Sequence, residues 1–262
     1  MRFKIVLEKL PSGRFMPLNY QYAVSSWIYR KIQEADPEYS LFLHQNGYES
    51  GDRRYKLFTF SKIESYPYAI IGDRMELKGD FASIILSFMA DRAAENAIRG
   101  IFQDQIMPIK DPIGGVEFRI LRIEAAPYPE FSEEMTYRTI SPICISFRSL
   151  MDKQPKYLHP DDGRYRDLMI ANLVRKYAAL QLAEAGAIMA TSDSPAIAFE
   201  MVSPPRQKLT TIKPYTGEES KVRAYEYRFR LKAPIELQKT GYYAGFGEKN
   251  SMGFGCVEIV EG

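Results

Sequence analysis

The chain is poor in the side chains on which many catalytic and redox sites depend. Its 262 residues include two histidines, two cysteines and one tryptophan. Cys144 and Cys256 lie in strand-like runs without the spacing of a metal site or a redox motif, which predicts two buried free thiols. The sequence also lacks HExxH, a GxSxG elbow and any carboxylate cluster with metal-ligand spacing. It therefore predicts neither a metal nor another cofactor.

Long apolar runs are missing as well. No uninterrupted apolar segment approaches the roughly 18 to 20 residues that cross a bilayer. The N-terminus, MRFKIVLEKL, alternates like a strand where a signal peptide would have a solid apolar block. With 45% hydrophobic residues, the chain can fill one large core or two small ones. We expect a globular, cytoplasmic protein.

The order of predicted elements in the first half indicates an α+β fold. Alternation predicts a strand at 2–7, and Val24, Ile28 and Ile32 recur at helical spacing after Asn19, a candidate N-cap. The remaining predictions are a short helix over 36–44, a polar loop at 46–54, a strand at 55–60, a hairpin over 61–73, a strand at 75–78, a helix over 80–100, and strands at 101–106 and 116–124. This order is the βαββαβ pattern of a ferredoxin-like (RRM-like) domain.

A proline-rich step divides the chain. Pro127 and Pro129 interrupt both helix and sheet, which predicts a domain boundary there. After it the pattern repeats loosely, with a bent strand over 137–147, a helix over 161–186, and strands at 196–202, 209–212 and 222–231. We predict two tandem ferredoxin-like domains, 1–127 and 128–262, with a C-terminal glycine-rich loop.

Positive charge is concentrated in one stretch, although the net charge is only +2. Residues 206–232, called the basic ribbon below, contain eight Lys or Arg against three Asp or Glu. Such a run either binds a polyanion or is a solvated strand face. The side chains that could follow the phosphates of an RNA are Arg206, Lys208, Lys213, Arg223, Arg228 and Arg230.

The glycine-rich segment, residues 241–259, reads GYYAGFGEKNSMGFGCVEI. Glycine reaches positive φ at no steric cost and lets another backbone approach closely. Lys249, Asn250 and the free backbone N–H groups around them suit a phosphate-bearing ligand. The same residues also fit a glycine-rich β-hairpin in which 242–246 pairs with 254–260. Residue spacing alone leaves both interpretations open.

Two parts of the chain resemble one known family. The string GFGEKNSMGFG resembles the C-terminal glycine-rich signature of the CRISPR-associated repeat-RNA endoribonucleases, the sixth Cas family. WIYRKI around Tyr29, LFLHQ around His44 and YKLFTFS around Lys56 resemble the three active-site segments of that family. Between about residues 60 and 235 the resemblance is limited to the pattern of elements.

The resemblance implies metal-independent cleavage of the CRISPR repeat within a precursor transcript. The ribose 2′-hydroxyl would attack the adjacent phosphate and leave 2′,3′-cyclic phosphate and 5′-hydroxyl ends. His44 is then the expected general acid or base, Tyr29 would position the 2′-hydroxyl or share the proton transfer, and Lys56 would neutralise the charge on the phosphate oxygens. The division between acid and base stays open.

The resemblance also implies ligands and partners. It gives an RNA-binding role to residues of the glycine-rich segment, namely Gly245, Gly247, Lys249, Asn250, Gly253 and Gly255. The expected partner is CRISPR repeat RNA, with subunits of an effector complex and a homodimer as further options.

Each catalytic candidate also has an ordinary structural explanation. By residue type alone, Tyr29 is a helix-edge aromatic, His44 a surface histidine and Lys56 a gatekeeper on an edge strand. Two other functions stay open: a repeat-RNA-binding subunit without cleavage, and a generic tandem RNA-binding or scaffolding module. The sequence lacks the RNP1 aromatic motif that would favour the generic module.

Overall fold

The computed structural model describes residues 1–149, 154–185 and 197–260. The strands of the first half are β1 Arg2–Lys9, β2 Phe15–Pro17, β3 Tyr48–Ser50, β4 Arg53–Tyr55, β5 Phe58–Phe60, β6 Glu64–Ser65, β7 Tyr68–Ile71, β8 Arg74–Leu77, β9 Phe81–Phe88, β10 Ile106–Asp111 and β11 Gly114–Ala125. The helices of this half are α1 Gln21–Ala35, α2 Pro37–Gln45 and α3 Asp91–Gln103.

The first sheet is built around β1. Its strands follow the order β10-β11-β1-β9-β5, with β6 also paired to β9. Because side chains alternate along a strand, β1 turns Ile5 and Leu7 into the core. Helices α1 and α3 pack against each other, and Val24, Ile28 and Ile32 of α1 are buried. The order β1–α1–β5–β9–α3–β11 is the predicted βαββαβ order.

The second half repeats this arrangement. Its strands are β12 Glu134–Thr139, β13 Ser146–Phe147, β14 Lys156–Tyr157, β15 Ala198–Met201, β16 Arg206–Ile212, β17 Ser220–Glu226, β18 Arg228–Lys232 and β19 Val257–Ile259. Its helices are α4 Tyr165–Ala185, α5 Ile235–Ala244 and a 3₁₀ turn, Asn250–Met252. The second sheet has the order β15-β18-β12-β19, and β16–β17 is a separate hairpin. The α+β class with two domains is confirmed, whereas the ferredoxin-like assignment of each domain and the boundary at residue 127 stay predictions.

The largest error of the sequence analysis is the helix over 80–100. Residues 81–88 form β9, which pairs with β1 on one side and with β5 on the other. The run FASIILSF fits helical spacing and also alternates, with Ala82, Ile84 and Leu86 buried. Pairing with two neighbouring strands selects the extended form, and the helix starts only at Asp91. The strand predicted at 101–106 is also wrong except at its end, because α3 continues to Gln103 and β10 begins only at Ile106.

Smaller differences have local causes. The polar loop at 46–54 contains the β3–β4 hairpin, and the strand predicted at 55–60 is limited to β5 because Leu57 has a φ of 53°. Asn19 does not cap α1. Its Oδ1 accepts a hydrogen bond from the backbone N–H of Thr211 at 2.8 Å instead. Gly186 and Ala196, at the ends of two predicted elements, lie outside the described residues.

Arg2 connects the two halves at the level of the sheets. Its Nη1 donates to the carbonyl of Val257 at 2.8 Å, and its Nη2 donates to the carbonyl of Tyr242 at 2.6 Å. The guanidinium also lies 3.5 Å from the centroid of the Tyr242 ring. Cys144 and Cys256 are buried free thiols, as predicted. No helix in the described ranges is long and apolar enough to cross a membrane.

Candidate functional site

Two helices of the first half bring Tyr29 and His44 together. Tyr29 lies on α1 beside its buried stripe, and His44 lies in the last turn of α2. The start of α2 is fixed locally, because Asp36 Oδ1 accepts a hydrogen bond from the Tyr39 N–H at 3.0 Å. The centroids of the Tyr29 and His44 rings are 6.4 Å apart in an edge-on arrangement. We call them the Tyr29–His44 pair.

The environment of Tyr29 keeps its hydroxyl protonated. The ring packs edge-on against Phe58, with centroids 5.6 Å apart. Burial raises the pKa of Tyr29 to about 12, and a hydrogen bond with the Ser251 side chain opposes that rise in part. At neutral pH Tyr29 is therefore a hydrogen-bond donor and a poor base. His44, in contrast, is exposed at the end of its helix.

Lys56 is attached to the helix that carries His44. Its Nζ donates to the carbonyl of Leu43 and, at 3.2 Å, to the carbonyl of His44. A cation at this place satisfies carbonyls at the C-terminus of α2 and interacts favourably with the helix dipole. Burial lowers the pKa of Lys56, and the charge of Arg54 lowers it further. The structure thus places Lys56 in the site as a support for the end of α2.

The glycine-rich segment is not a hairpin. Residues 242–244 belong to α5, and the chain then passes through a loop with a 3₁₀ turn before it enters β19. Gly245, Gly247, Gly253 and Gly255 have φ values of 88°, 70°, 81° and 78°. Each therefore lies in the left-handed region that favours glycine. The 3₁₀ turn contacts α1 and β5, which brings this loop to Tyr29.

Side-chain amides and hydroxyls close the loop on itself. Asn250 is buried, and its Nδ2 donates to the carbonyls of Phe246 at 3.0 Å and Phe254 at 2.9 Å. Thr59 on β5 donates from Oγ1 to the same Phe254 carbonyl at 2.9 Å. The amide nitrogen of Asn250 is thus engaged inside the protein, while Lys249 is exposed.

A buried lysine that the sequence analysis missed holds the glycine-rich loop through two hydrogen bonds. Lys176 on α4 is 2% exposed, and its Nζ donates to the carbonyls of Gly245 at 2.7 Å and Gly247 at 2.6 Å. One sequence signal could have revealed it: Lys176 falls between Leu173 and Leu180 in the apolar stripe of α4. A lysine at such a position needs buried acceptors, because a buried charge without partners is costly.

We expect the stability of the protein to rise with pH above neutrality because of Lys176. Burial lowers its pKa from 10.5 to about 7, whereas the unfolded chain keeps the ordinary value. Between these two pKa values the unfolded state binds one more proton than the folded state, so the free energy of unfolding increases by up to about 1.4 kcal/mol per pH unit. Below the lower pKa both states are protonated and the slope vanishes.

Urea unfolding at pH 6, 8 and 9 would measure this slope, with Lys176→Met as the reference. The difference in unfolding free energy between wild type and variant should grow with pH in favour of the wild type. A difference that is the same at every pH would mean that Lys176 titrates alike in both states.

A cavity of about 270 Å³ lies next to the Tyr29–His44 pair. Its lining includes the cations Arg53, Arg54, Lys56, Arg175 and Lys249, together with the buried Lys176. Glu248 also lines it, but its Oε2 accepts a hydrogen bond from Ser146 Oγ at 2.6 Å. The cavity shares Lys56 and Ser251 with the surroundings of the pair. An excess of cations around a concave site attracts anions.

The basic ribbon is divided between two elements. Arg206, Lys208 and Arg223 lie on the β16–β17 hairpin, whereas Arg228 and Arg230 lie on β18 of the second sheet. Several of these cations have carboxylate partners: Lys208 is 4.0 Å from Glu226, Arg230 is 3.5 Å from Glu134 and 3.4 Å from Glu200, and Lys213 pairs with Glu218. The cations of the ribbon are therefore divided between two sheets, and several of them already have carboxylate partners.

The second histidine lies elsewhere. The ring of His159 packs edge-on against Tyr225, with centroids 4.9 Å apart, in the second half of the chain. Within the described ranges, no group of three or more His, Cys, Asp or Glu side chains could hold a metal ion.

Comparisons with known proteins agree over the whole chain. A family model described as "CRISPR associated protein Cas6, C-terminal" matches residues 126–259, and one described as "CRISPR-associated protein Cas6, N-terminal" matches residues 15–124. The chain is 30% identical over 264 residues to a Methanocaldococcus jannaschii protein named CRISPR-associated endoribonuclease Cas6 1, with 100% of this chain and 93% of that relative covered.

Two further comparisons bear on the same question. A Pyrococcus horikoshii relative, named as an endoribonuclease-like protein Cas6nc, is 26% identical, and both chains are covered completely. A solved structure titled "CRISPR associated protein Cas6" superposes with a TM-score of 0.77 at 29% identity, covering 100% of this chain and 99% of the other.

Proposed function

The chain belongs to the Cas6 family of CRISPR-associated proteins, and we propose that it cleaves CRISPR precursor RNA within the repeat to yield guide RNAs. The observation that carries this proposal is the meeting of Tyr29 and His44 beside the glycine-rich loop and the cationic cavity. Residues more than two hundred positions apart contribute to this one place. Relatives named endoribonucleases support the same activity.

The proposed reaction is an in-line attack within the RNA itself. A base removes the proton of the 2′-hydroxyl, the 2′-oxygen attacks the adjacent phosphorus, and the bond from phosphorus to the 5′-oxygen breaks. An acid returns a proton to that 5′-oxygen. The products are a 2′,3′-cyclic phosphate and a 5′-hydroxyl, so protons balance without a metal or another cofactor.

The two members of the pair suit different parts of this reaction. His44 is exposed, and an imidazole is the side chain that most often acts as a general acid or base, so it can transfer a proton to or from the RNA. Tyr29, whose pKa burial raises to about 12, stays protonated and is suited to donate a hydrogen bond to a hydroxyl or phosphate oxygen. We therefore assign the proton transfer to His44 and the positioning of the reacting group to Tyr29.

Lys56 supports this reaction in two ways. Its hydrogen bonds to the end of α2 hold the backbone at His44 in place. Its charge also borders the cavity, where a phosphate would gain from it. Four glycines with positive φ give the loop the shape in which it would surround the RNA, namely Gly245, Gly247, Gly253 and Gly255. Asn250 holds the loop closed through its two hydrogen bonds to backbone carbonyls. The exposed cations of the basic ribbon would contact phosphates farther along the repeat.

The proposal is tested by incubating the purified protein with end-labelled repeat RNA in EDTA. A parallel reaction uses RNA with a single 2′-deoxy nucleotide at the scissile position. We expect cleavage of the all-ribose RNA, no cleavage of the deoxy RNA, and a product whose 3′ end becomes extendable only after removal of the cyclic phosphate. Cleavage that stops in EDTA, or that continues on deoxy RNA, would contradict the mechanism.

A repeat-RNA-binding subunit without cleavage is the second candidate. It is favoured by the relative named as an endoribonuclease-like protein and by the engagement of Lys56 with backbone carbonyls. Tight binding of repeat RNA with no cleavage under any condition would select this function. Association with effector subunits and a homodimer stay predictions in either case.

We expect Lys249→Ala to weaken RNA binding and to flatten its salt dependence. Lys249 is exposed in the glycine-rich segment, just before the 3₁₀ turn, so its ammonium would replace one counterion on the RNA. The slope of log K against log salt should decrease by roughly 0.7 to 0.9. Titrations of repeat RNA at several salt concentrations would measure it. Lys78→Ala, at an exposed lysine outside the cavity lining, serves as the control, and equal slopes in both variants would place Lys249 outside the phosphate contacts.

A further inference from the structure

The sheet formed by β2, β8 and β7 has an unprotected edge. β7 is its outermost strand, and within the described residues it pairs only with β8. The sequence of β7, YAII, contains neither a charged residue nor a proline. By contrast, the edge strand β10 of the first sheet carries Pro108 and Lys110. An apolar edge without such protection is a template for another strand.

The backbone groups of β7 are divided between its two sides. The carbonyl of Pro67 accepts a hydrogen bond from the N–H of Lys78 at 3.0 Å, so Pro67 faces β8. Because backbone groups alternate along a strand of an antiparallel pair, Tyr68 and Ile70 direct their N–H and C=O groups away from β8. No backbone partner for these groups is found in the described part of the chain.

A second copy of β7 would satisfy these outward groups. In an antiparallel pair with a two-fold axis at Ala69, Tyr68 of each copy lies opposite Ile70 of the other. Residues in such a position exchange both of their N–H···O bonds. Ile71 then meets Pro67 of the other copy, so the cross-strand neighbours are apolar and no like charges oppose each other. In this register the edge is complementary to itself.

Apolar side chains beside the edge enlarge the contact surface. Tyr66 is 87% exposed and Phe81 is 59% exposed, and both line one groove together with Tyr68. Ile70 and Ile71 are each 53% exposed. At roughly 200 Å² for a whole aromatic side chain, these five residues offer about 500 Å² per copy. A dimer would bury about 1,000 Å², the lower end for specific interfaces, which predicts association at micromolar concentration.

We propose that β7 is a dimerisation edge, at which two copies of this chain join their β2–β8–β7 sheets into one continuous antiparallel sheet. The interface is isologous, with the two-fold axis at Ala69. Residues 66–71 do not line the cavity next to the Tyr29–His44 pair. The inference is therefore independent of the proposed cleavage of RNA.

Sedimentation equilibrium of the full chain without RNA, over about 1 to 100 µM, tests the proposal. We expect the wild type to pass from monomer to dimer in this range. Ile70→Lys should stay monomeric, because the interface would bury an unpaired charge opposite Tyr68. Ile70 is half-exposed in the single chain, so the melting temperature should change little.

The matched control is Ile113→Lys, at an isoleucine that is 65% exposed between β10 and β11. It adds the same charge away from β7 and should dimerise like the wild type. A wild type that stays monomeric throughout the range would overturn the proposal. Equal dimerisation of Ile70→Lys and Ile113→Lys would also overturn it, because the interface would then lie on another surface. The same holds if the wild type associates only after repeat RNA is added.

A mixture of two variants tests the register. Tyr68→Glu should be monomeric on its own, for the same reason as Ile70→Lys. An equimolar mixture of the two should dimerise again, since the introduced ammonium faces the introduced carboxylate while the second Tyr68–Ile70 pair stays apolar. A mixture that remains monomeric would overturn the two-fold register at Ala69.

Discussion

Replacing His44 with alanine is expected to abolish most of the cleavage activity and to leave RNA binding intact. Proton transfer by a positioned histidine contributes roughly 10² to 10⁴ in rate, and the cleavage rate should fall by that factor. The imidazole is exposed, and Lys56 holds the end of α2 through backbone carbonyls that alanine keeps. The helix should therefore remain in place, with little change in affinity.

Single-turnover cleavage at saturating protein measures the rate, and titration with 2′-deoxy repeat RNA measures the affinity. His159→Ala is the matched control, because it removes the other histidine of the chain, which packs on Tyr225 away from α2. It should cleave like the wild type. Unchanged cleavage by His44→Ala would remove His44 from the mechanism, and a parallel loss of binding would make it a contact residue.

The second large effect is expected for Gly255→Ala, which should destabilise the protein by more than about 2 kcal/mol. Gly255 has a φ of 78°, where a side chain already costs free energy. An added Cβ would also overlap the carbonyl oxygen of Phe246 and lie 2.6 Å from Asn250 Nδ2. The backbone must then move, and the hydrogen bonds from Asn250 to the carbonyls of Phe246 and Phe254 would break.

Gly51→Ala isolates the cost of the backbone conformation alone. Gly51 has a φ of 61°, but a Cβ there would meet no atom within 4 Å. The free energy of unfolding of Gly51→Ala should be lower than that of the wild type by about 1 kcal/mol. Urea unfolding under the same conditions as for Gly255→Ala would measure it. Equal losses in the two variants would show that crowding at the loop contributes nothing. Below its unfolding temperature, Gly255→Ala should also bind repeat RNA more weakly, because Ser251 is carried by the same loop.

The loop explains why the site depends on residues far apart in the chain. It is held from one side by Lys176 of α4 and from the other by Thr59 of β5. Ser251 then reaches Tyr29 of α1. A small displacement of any of these contacts would move the groups that face the RNA. The cleavage rate would then fall, because the reaction requires in-line geometry.

Much of this protein follows from its sequence alone, where short-range rules decide. Asp36 and Pro37 fix the start of α2 through a cap and a preset φ, and this places His44 in the last turn. The stripe of Val24, Ile28 and Ile32 fixes the buried face of α1 and with it the place of Tyr29. The order of predicted helices and strands was enough to assign the α+β class. Each helix or strand is predicted from neighbouring residues in the sequence, so no tertiary contact is needed for this step.

Tertiary structure alone decided the rest. The run 81–88 suits a helix or a strand, and only its pairing with β1 and β5 selects the strand. The glycine-rich segment suits a hairpin, and only its packing against α1, β5 and Lys176 makes it a helix end and a closed loop. Lys176 gains its role from two carbonyls that the glycine-rich segment supplies. These contacts join residues that are distant in the chain, so they cannot be predicted from the pattern of neighbouring residues.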